Sequence, residues 1–214
     1  MHHDDFKFEP VRGLPEALPA GEHILWQGAP DAMRLAKDAW KMNWIMGYFI
    51  ALAIWRVVVS SATEPLTTAL GHGIPLLLSG LLACVIIYII AYTQARSTVY
   101  TLTNKRVAMR IGAALTMTLN LPYVCIANAS ANIRGNGVGT ISFETNGDSR
   151  ISYMMTWPHV RPWTFSRAQP SFRAIPDAAR VAVIFSDAAE ARVSMPVLSR
   201  VNASAPVTGA VAAE

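Results

Sequence analysis

The stretch 74-IPLLLSGLLACVIIYIIAY-92 contains 19 residues and no charged side chain. A helix of this length crosses the hydrocarbon core of a bilayer, which is about 30 Å thick. A second apolar stretch, 44-WIMGYFIALAIWRVVVSS-61, precedes it and contains a single charge, Arg56. The sequence therefore predicts two transmembrane helices, 44–61 and 74–92, joined by the short connection 62–73.

The composition of the whole chain agrees with a membrane protein. Hydrophobic residues make up 52% of the 214 residues and charged residues 15%, whereas soluble domains contain about 25% charged residues. The first apolar stretch begins only near residue 42, after an acidic, proline-containing segment. This arrangement is unlike a cleaved signal peptide, so both stretches are expected in the mature protein.

Lysine and arginine flank the two apolar stretches and are absent from the connection 62–73. The flanking cations are Arg34, Lys37 and Lys41 before the first stretch, and Arg96, Lys105 and Arg106 after the second. Cytoplasmic flanks carry an excess of such residues. We therefore expect a multi-pass protein of the bacterial inner membrane, with both termini cytoplasmic and the connection 62–73 in the periplasm.

Arg56 interrupts the first predicted span about one turn from its outer end. Its side chain can extend to the membrane surface. Alternatively, it pairs with a carboxylate inside the membrane. Because the second span contains no acid, such a carboxylate would belong to another protein.

The region before the first span divides into two parts. Residues 1–30 contain four prolines and are predicted to form an irregular cytoplasmic segment, in which 22–28 is a short strand or packs on a neighbour. Residues 31–43 place apolar side chains at helical spacing after Asp31, a good N-cap residue. We predict an interfacial amphipathic helix, with Trp40 and Trp44 at headgroup depth.

After the second span the spacing of hydrophobic residues changes from a helical period to a period of two residues, which is typical of strands. The clearest case is 115-LTMTLNL-121, and shorter alternating segments occur at 98–102, 107–111, 123–133, 140–145 and 150–155. Turn residues separate these segments. Residues 96–192 are thus predicted to form a small antiparallel β-barrel, capped by a helix that begins after Pro176, with 193–214 as a disordered tail. The fold class is α+β.

The charge of the predicted cytoplasmic domain favours contact with an anionic membrane surface. Residues 96–192 contain eleven lysines and arginines against five acids, which leaves a charge of +6. The residues predicted to lie at the lipid interface are Arg34, Lys37, Trp40, Lys41, Trp44, Lys105, Arg106 and Arg110.

No arrangement of residues in the chain indicates catalysis. Apart from the disordered-looking N-terminus, where His2 and His3 adjoin two aspartates, the histidines form no metal-ligand pair with another ligand type. The glycine-rich 135–139 is followed by a strand pattern, which favours a hairpin turn over a phosphate-binding loop. We therefore predict a protein that is not an enzyme and that has no catalytic residue, metal or cofactor. A nucleic-acid partner is not expected either.

The stretch 157-WPHVRPWTFSRAQPSFR-173 contains the most distinctive combination of residues. Its prolines exclude a helix or a central strand, so it is predicted to be an extended connection between the last strand and the capping helix. Three interpretations stay open. The aromatic side chains fold back onto the barrel, or the stretch is an exposed docking surface, or His159 is an axial ligand of a tetrapyrrole. The predicted partner-binding residues are Trp157, His159, Arg161, Trp163, Phe165, Arg167 and Arg173.

Several blocks carry a resemblance to known families. The segment 100-YTLTNKRVAMRIG-112 resembles the first strands of bacterial pleckstrin-homology-like (PH-like) domains that follow transmembrane hairpins. With 12-RGLPEALPAGEHILWQGAP-30, 115-LTMTLNLPY-123 and 157-WPHVRPW-163, the sequence resembles the PuhB-type assembly proteins of purple phototrophic bacteria from about residue 8 to 192. The resemblance implies a non-enzymatic role in assembling the reaction centre and core light-harvesting complex 1 in the intracytoplasmic membrane.

Three functions stay open for such a protein, namely an assembly factor, a lipid-binding module, and a pigment or haem chaperone that uses His159. As an assembly factor, it would bind reaction-centre and core antenna polypeptides through its cytoplasmic surface and through small residues of its hairpin. Those small residues are Gly47, Ala51, Ala53, Ser79, Gly80 and Ala83. As a lipid-binding module, it would bind anionic headgroups through Lys105, Arg106, Arg110 and Arg134. Self-association into a homo-oligomer is open in either case.

Overall fold

The computed structural model of the protein describes residues 10–113, 116–135, 137–146 and 151–193. The elements are β1 (Ile24–Gly28), α1 (Ala32–Asp38), α2 (Met42–Ser61), α3 (Leu66–Ser97), β2 (Val99–Thr103), β3 (Arg106–Ile111), β4 (Met117–Pro122), β5 (Ile126–Ile133), β6 (Gly139–Thr145), α4 (Tyr153–Thr156), β7 (Ser171–Ile175) and α5 (Ala178–Val193). The predicted tail from residue 194 onward lies outside the described residues, as do residues 1–9.

The two apolar stretches form a helical hairpin of α2 and α3. Small residues lie at the contact, since a Cβ atom on Gly80 would come within 2.7 Å of the Cβ of Phe49. Ala53 is buried at the same interface. The far end of the hairpin is joined by His72 and Ser60, whose Nδ1 and Oγ atoms lie 3.0 Å apart. Ala53 and Gly80 therefore serve the hairpin itself, which corrects the expectation that they pack on a partner.

α3 is longer than the predicted span 74–92. It contains 32 residues, starts at Leu66 and includes Pro75, so it extends over about 48 Å. The helix continues through the proline, and Gly73 and Gly80, on either side of it, pack closely on α2. The predicted connection 62–73 is thus wrong in extent, and only residues 62–65 lie between the two helices.

α1 forms where a helix was predicted, and Asp31 caps it by accepting a hydrogen bond from the backbone N–H of Arg34 at 2.7 Å. Its apolar side is not directed to lipid. Leu35 and Ala36 are fully buried against Ala91 and Ala95 of α3. The prediction of an interfacial helix is corrected accordingly, because the side chains expected in the membrane surface fill the contact with α3.

The strands form two antiparallel sheets, ordered β1-β2-β3-β4 and β5-β6-β7. β1 confirms the short strand expected at 22–28. Among the described residues β4 does not pair with β5, so the predicted barrel is not closed. The reason lies at the corner, where Pro122 supplies no N–H and a single 3₁₀ turn, Tyr123–Cys125, redirects the chain. The hydroxyl of Tyr123 donates to the Thr103 carbonyl at 2.5 Å and fixes this corner.

The core lies between the two sheets and α5. Its largest buried side chains include Tyr100, Met109, Phe143 and Phe172. α5 confirms the predicted capping helix, and its apolar stripe packs on this core through Val181, Ile184, Phe185 and Ala188.

The last part of the domain differs from the prediction. The alternating segment 150–155 was expected as a strand, but Tyr153–Thr156 form the short helix α4. The last strand is β7, whose first three residues are the end of the proline-rich stretch. All five residues of β7 are buried, so it shows no alternation that a sequence pattern could reveal. The connection therefore joins α4 to β7, and not the last strand to the capping helix.

Candidate functional site: an exposed aromatic surface at the base of the hairpin

The proline-rich stretch begins with a side chain that is tied to the hairpin. The indole ring of Trp157 meets that of Trp40 edge-on, with centroids 4.6 Å apart. Trp40 donates from Nε1 to Oε1 of Gln94 on α3, at 3.2 Å. Trp157 is half-buried as a result. It holds the stretch against the base of the hairpin, and only part of its ring is left for a partner.

His159 lies in the interior and is 1% exposed. Its Nδ1 atom is 2.6 Å from the hydroxyl oxygen of Tyr100, and its Nε2 atom is 3.2 Å from Oγ1 of Thr98. Both ring nitrogens therefore have partners within the protein. The predictions that His159 faces a partner or ligates a tetrapyrrole are corrected by this geometry, because neither nitrogen is accessible.

The partners of His159 also determine where its proton lies. Thr98 Oγ1 donates to the carbonyl of Gln94 at 2.7 Å, so it can only accept from the imidazole. Nε2 must then carry the proton, and Nδ1 accepts from the hydroxyl of Tyr100. That hydroxyl accepts in turn from the backbone N–H of Arg173 at 3.3 Å. A directed chain of hydrogen bonds thus runs between β7 and the last turn of α3.

Burial lowers the pKa of His159 from its usual value to about 3, and the charge of Arg173 acts in the same direction. The imidazole is therefore uncharged at neutral pH. A neutral histidine agrees with the single proton that the hydrogen-bond chain requires.

Arg173 is also directed inward, on β7. It is 7% exposed, and its Nη1 atom donates to the carbonyl of Pro158 at 3.1 Å. Burial lowers the pKa of the guanidinium from its ordinary value. The expectation that Arg173 belongs to an exposed docking surface is thus corrected, since the whole of β7 is covered.

Two other residues of the stretch are exposed together with the methionines of α4. The fractions exposed are 81% for Trp163, 63% for Phe165, 84% for Met154 and 67% for Met155. We call these four residues the aromatic surface. Aromatic residues and methionine are enriched at protein interfaces. The interpretation in which Trp163 and Phe165 fold back onto the barrel is wrong, and their predicted exposure is confirmed.

The aromatic surface is held in place by local contacts. The rings of Tyr153 and Phe165 have centroids 4.6 Å apart, and those of Phe165 and Trp163 are 6.1 Å apart. Trp163 has a φ of 67°, a left-handed conformation that is uncommon for residues other than glycine. The backbone is therefore shaped to turn the indole outward.

The two remaining arginines of the stretch, Arg161 and Arg167, are exposed as predicted. Arg161 donates from Nη1 to Oε1 of Gln169 at 3.0 Å. The structure thus divides the seven predicted partner-binding residues. Arg161, Trp163, Phe165 and Arg167 lie at the surface, Trp157 lies at its margin, and His159 and Arg173 lie in the interior.

Comparison with known sequences places this geometry in a family. A family model described as the bacterial PH domain matches residues 45–189. The chain belongs to the bacterial PH domain family. It is also 42% identical over 217 residues to a protein of Rhodobacter capsulatus described as an uncharacterized 23.7 kDa protein in the puhA 5′ region, with 100% of this chain and 99% of the relative aligned. The resemblance to the PuhB-type proteins is confirmed. No solved structure matches the chain at a significant level.

Within this PH domain, three cations predicted to bind lipid have other roles. Arg106 forms an ion pair with Glu22 at 2.9 Å, and Lys105 donates from Nζ to the Ala20 carbonyl at 3.1 Å. Arg110 is buried on β3. Lys105 and Arg106 thus stabilise the contact with the N-terminal segment, and their contact with lipid remains a prediction. The burial of Arg110 corrects its assignment to the lipid interface.

The other predicted interface residues surround the start of the hairpin. Trp44 is 78% exposed, and Lys41 is exposed between α1 and α2. Arg34, Lys37 and Trp40 are half-buried. Their position is compatible with a membrane surface at the start of α2, and their contact with lipid remains a prediction.

One surface feature was missed by the sequence analysis. A groove of about 420 Å³ lies between β5 and α5, lined by Ile126, Ala129 and Phe185 among others. Within the described part of the chain β5 pairs only with β6. An open strand edge can accept an additional strand. The sequence did indicate an open strand edge, because 126-IANASANI-133 has no lysine or proline that would protect the edge from pairing with another strand.

The described residues contain no group of three or more histidine, cysteine, aspartate or glutamate side chains that could hold a metal ion. His72 lies at the far end of the hairpin and His159 at its base, so these two histidines do not meet.

Proposed function

We propose that this protein is an inner-membrane assembly factor, without enzymatic activity, for the photosynthetic reaction centre and core light-harvesting complex. The hairpin would insert beside newly made subunits, and the PH domain would bind their cytoplasmic segments through the aromatic surface. The single observation that supports this role most strongly is the exposure of Trp163 and Phe165 on a domain joined directly to an apolar hairpin. The relative encoded near puhA, in a photosynthesis gene region, indicates which complexes to test.

The surface of the hairpin supports membrane insertion. Both helices contain an apolar window long enough to cross a membrane, and only 6% of this window in α2 and 17% in α3 is buried within the protein. Soluble monomers rarely expose so large a continuous apolar surface. Lipid or the helices of another membrane protein would cover it.

The connection between the hairpin and the PH domain supports contact near the membrane surface. α3 ends at Ser97, and β2 begins two residues later at Val99. The hydrogen-bond chain through His159 and the pair formed by Trp40 and Trp157 fasten the same junction. Because no flexible linker separates the two parts, the aromatic surface keeps a fixed position relative to the helices.

Co-purification tests the proposal directly. A tagged chain expressed in its phototrophic host should retain reaction-centre or core antenna polypeptides after solubilisation. The double variant Trp163→Ala/Phe165→Ala should lose most of them, whereas the matched control Val183→Ala, at an exposed apolar residue of α5, should retain them. Equal recovery with both variants would remove the aromatic surface from the proposal.

A deletion strain provides the second test. Loss of the gene should lower the amounts of reaction centre and core antenna measured by near-infrared absorbance of membranes. Normal amounts of both complexes in the deletion strain would contradict the assembly role.

A further inference from the structure

A polar cleft lies on the side of the PH domain that faces α1. It has a volume of about 620 Å³. Its walls come from α1, the hairpin of β5 and β6, the connection after α4 and β7. The sheet contributes polar pairs, since Ser130 lies opposite Ser142 and Asn132 lies opposite Thr140. The cleft adjoins the aromatic surface along the chain, since its lining residues Arg161 and Pro162 directly precede Trp163, but it is not used by the assembly function proposed above.

Three arginines and one acid line the cleft: Arg134, Arg161, Arg173 and Asp38. Arg134 is paired with Asp38 at 2.9 Å. Among the residues that the structure describes, no other acid lines the cavity, so this lining carries two more positive than negative charges. Within the described residues, neither Arg161 nor Arg173 has a carboxylate at ion-pair distance.

Arg173 is the strongest indication of a ligand. A guanidinium has five N–H donors, yet within the described part of the chain the side chain of Arg173 makes one hydrogen bond, to the carbonyl of Pro158. The residue is 7% exposed. Charged groups that are removed from water are normally paired, because an unpaired buried charge is costly. The acid whose charge acts on Arg173 is Asp38, which is already paired with Arg134. One carboxylate therefore faces two guanidinium groups at the wall of the cavity, and this excess of positive charge favours an anion inside it.

The chemistry of the cleft is suited to a tetrahedral oxyanion. Planar guanidinium groups form bidentate hydrogen bonds to phosphate oxygens. Hydroxyl and amide side chains from β5 and β6 add neutral hydrogen-bonding groups on one wall. We propose that Arg134, Arg161 and Arg173 form a binding site for a phosphate group, and we call it the oxyanion cleft.

The position of the oxyanion cleft gives two sources for such a group. Asp38 is the last residue of α1, and α2 begins at Met42. If α2 enters the bilayer, the cleft lies close to the cytoplasmic leaflet. The phosphate then belongs either to an anionic phospholipid headgroup or to a soluble phosphate compound. This inference and the proposed function can fail separately. A protein that assembles the complexes but binds no phosphate contradicts the inference alone, and one that binds phosphate but has no assembly activity contradicts the proposed function alone.

The first arm of the test uses inorganic phosphate and the purified full-length chain in a neutral detergent. Phosphate should raise the unfolding temperature relative to chloride at equal ionic strength. Arg161→Gln should weaken phosphate binding about tenfold, as expected for the loss of a charge-assisted hydrogen bond. The control Arg180→Gln changes an exposed arginine on α5 and should bind like the unchanged chain.

The second arm uses nanodiscs of phosphatidylcholine, with or without phosphatidylglycerol. Preferential retention of phosphatidylglycerol, lost in Arg161→Gln and kept in Arg180→Gln, identifies the lipid as the source. Equal retention together with phosphate binding identifies a soluble compound. The inference is overturned if phosphate does not bind, if both variants behave alike, or if a peptide carboxylate binds where phosphate does not. Because Arg161 is exposed, its substitution leaves the fold intact and the result interpretable.

Discussion

The Nδ1 atom of His159 lies 2.6 Å from the hydroxyl oxygen of Tyr100, inside the junction between the hairpin and the PH domain. This hydrogen bond joins the proline-rich stretch to β2, and the second ring nitrogen continues to Thr98 beside the last turn of α3. A histidine that was a candidate ligand in the sequence is thus a structural link. It helps to hold the exposed aromatic surface in a fixed position relative to the apolar hairpin.

Replacing His159 should destabilise the domain. His159→Ala removes both hydrogen bonds and leaves the buried hydroxyl of Tyr100 without its acceptor, which costs about 2–4 kcal/mol of the free energy of unfolding. Urea titration in detergent, followed by tryptophan fluorescence, measures this loss. Tyr100→Phe should cost less when His159 is already absent, and a double-mutant cycle tests this coupling. Strictly additive effects of the two substitutions would contradict the hydrogen-bond chain. The control His23→Ala, at an exposed residue, should change the free energy of unfolding little.

The same histidine predicts an acid dependence of stability. In the unfolded chain His159 takes up a proton below about pH 6.5, whereas in the folded protein burial lowers its pKa to about 3. The unfolded state therefore binds more protons between these values, and the free energy of unfolding decreases as pH falls from about 6.5 towards 3. Urea titrations at several pH values should show a smaller slope in His159→Gln, because glutamine does not titrate. An equal slope in the two proteins would contradict a neutral, buried His159.

The sequence predicted the elements whose patterns are strong. The uncharged stretch 74–92, the alternation in 115–121 and the apolar stripe of α5 each correspond to an observed helix or strand. β7 could not be recognised, because all five of its residues are buried and no period-two pattern remains. The barrel prediction was wrong because strand count alone does not show whether β4 and β5 pair.

The candidate site could be predicted only in part. Aromatic and basic composition identified Trp163 and Phe165 as candidates for exposure. The burial of His159 depends on Thr98 and Tyr100, about 60 residues earlier in the chain, and no local pattern reveals such a contact. The same limit applies to Arg106, since its partner Glu22 lies before the hairpin.

Two tryptophans of the proline-rich stretch should respond differently to substitution. Trp157→Ala removes a half-buried ring that packs on Trp40, and it should lower the free energy of unfolding by about 2–4 kcal/mol. Trp163→Ala changes a side chain that is 81% exposed, so its effect should stay below about 0.5 kcal/mol. Denaturant unfolding of both variants measures the difference. A large loss for Trp163→Ala would show that the indole has a structural role.

Two glycines distinguish contacts within the hairpin from contacts with other proteins. Gly80→Val would force a side chain into Phe49, where an added Cβ already comes within 2.7 Å. It should destabilise the hairpin by about 1–3 kcal/mol. At Gly47 an added Cβ meets no atom within 4 Å, so Gly47→Val should leave thermal unfolding in detergent unchanged. If Gly47→Val reduces the recovery of partner polypeptides while the hairpin stays stable, the exposed face of α2 at Gly47 contacts another helix. Equal destabilisation by Gly80→Val and Gly47→Val would contradict the described packing.

The orientation of the hairpin is measurable through cysteine accessibility. Cys125 is exposed on the PH domain, so in cells stripped of their outer membrane it should react with an impermeant maleimide only after the inner membrane is opened. In a Cys125→Ser background, Thr63→Cys, between α2 and α3, should react before the membrane is opened. Both expectations follow from the cations that flank the hairpin and are absent from its connection. Labelling of Cys125 in sealed cells would show that the orientation is reversed. If the orientation is reversed, Thr63→Cys should not react in sealed cells. If both positions react in sealed cells, the cells are leaky, so the two positions must be compared in the same preparation.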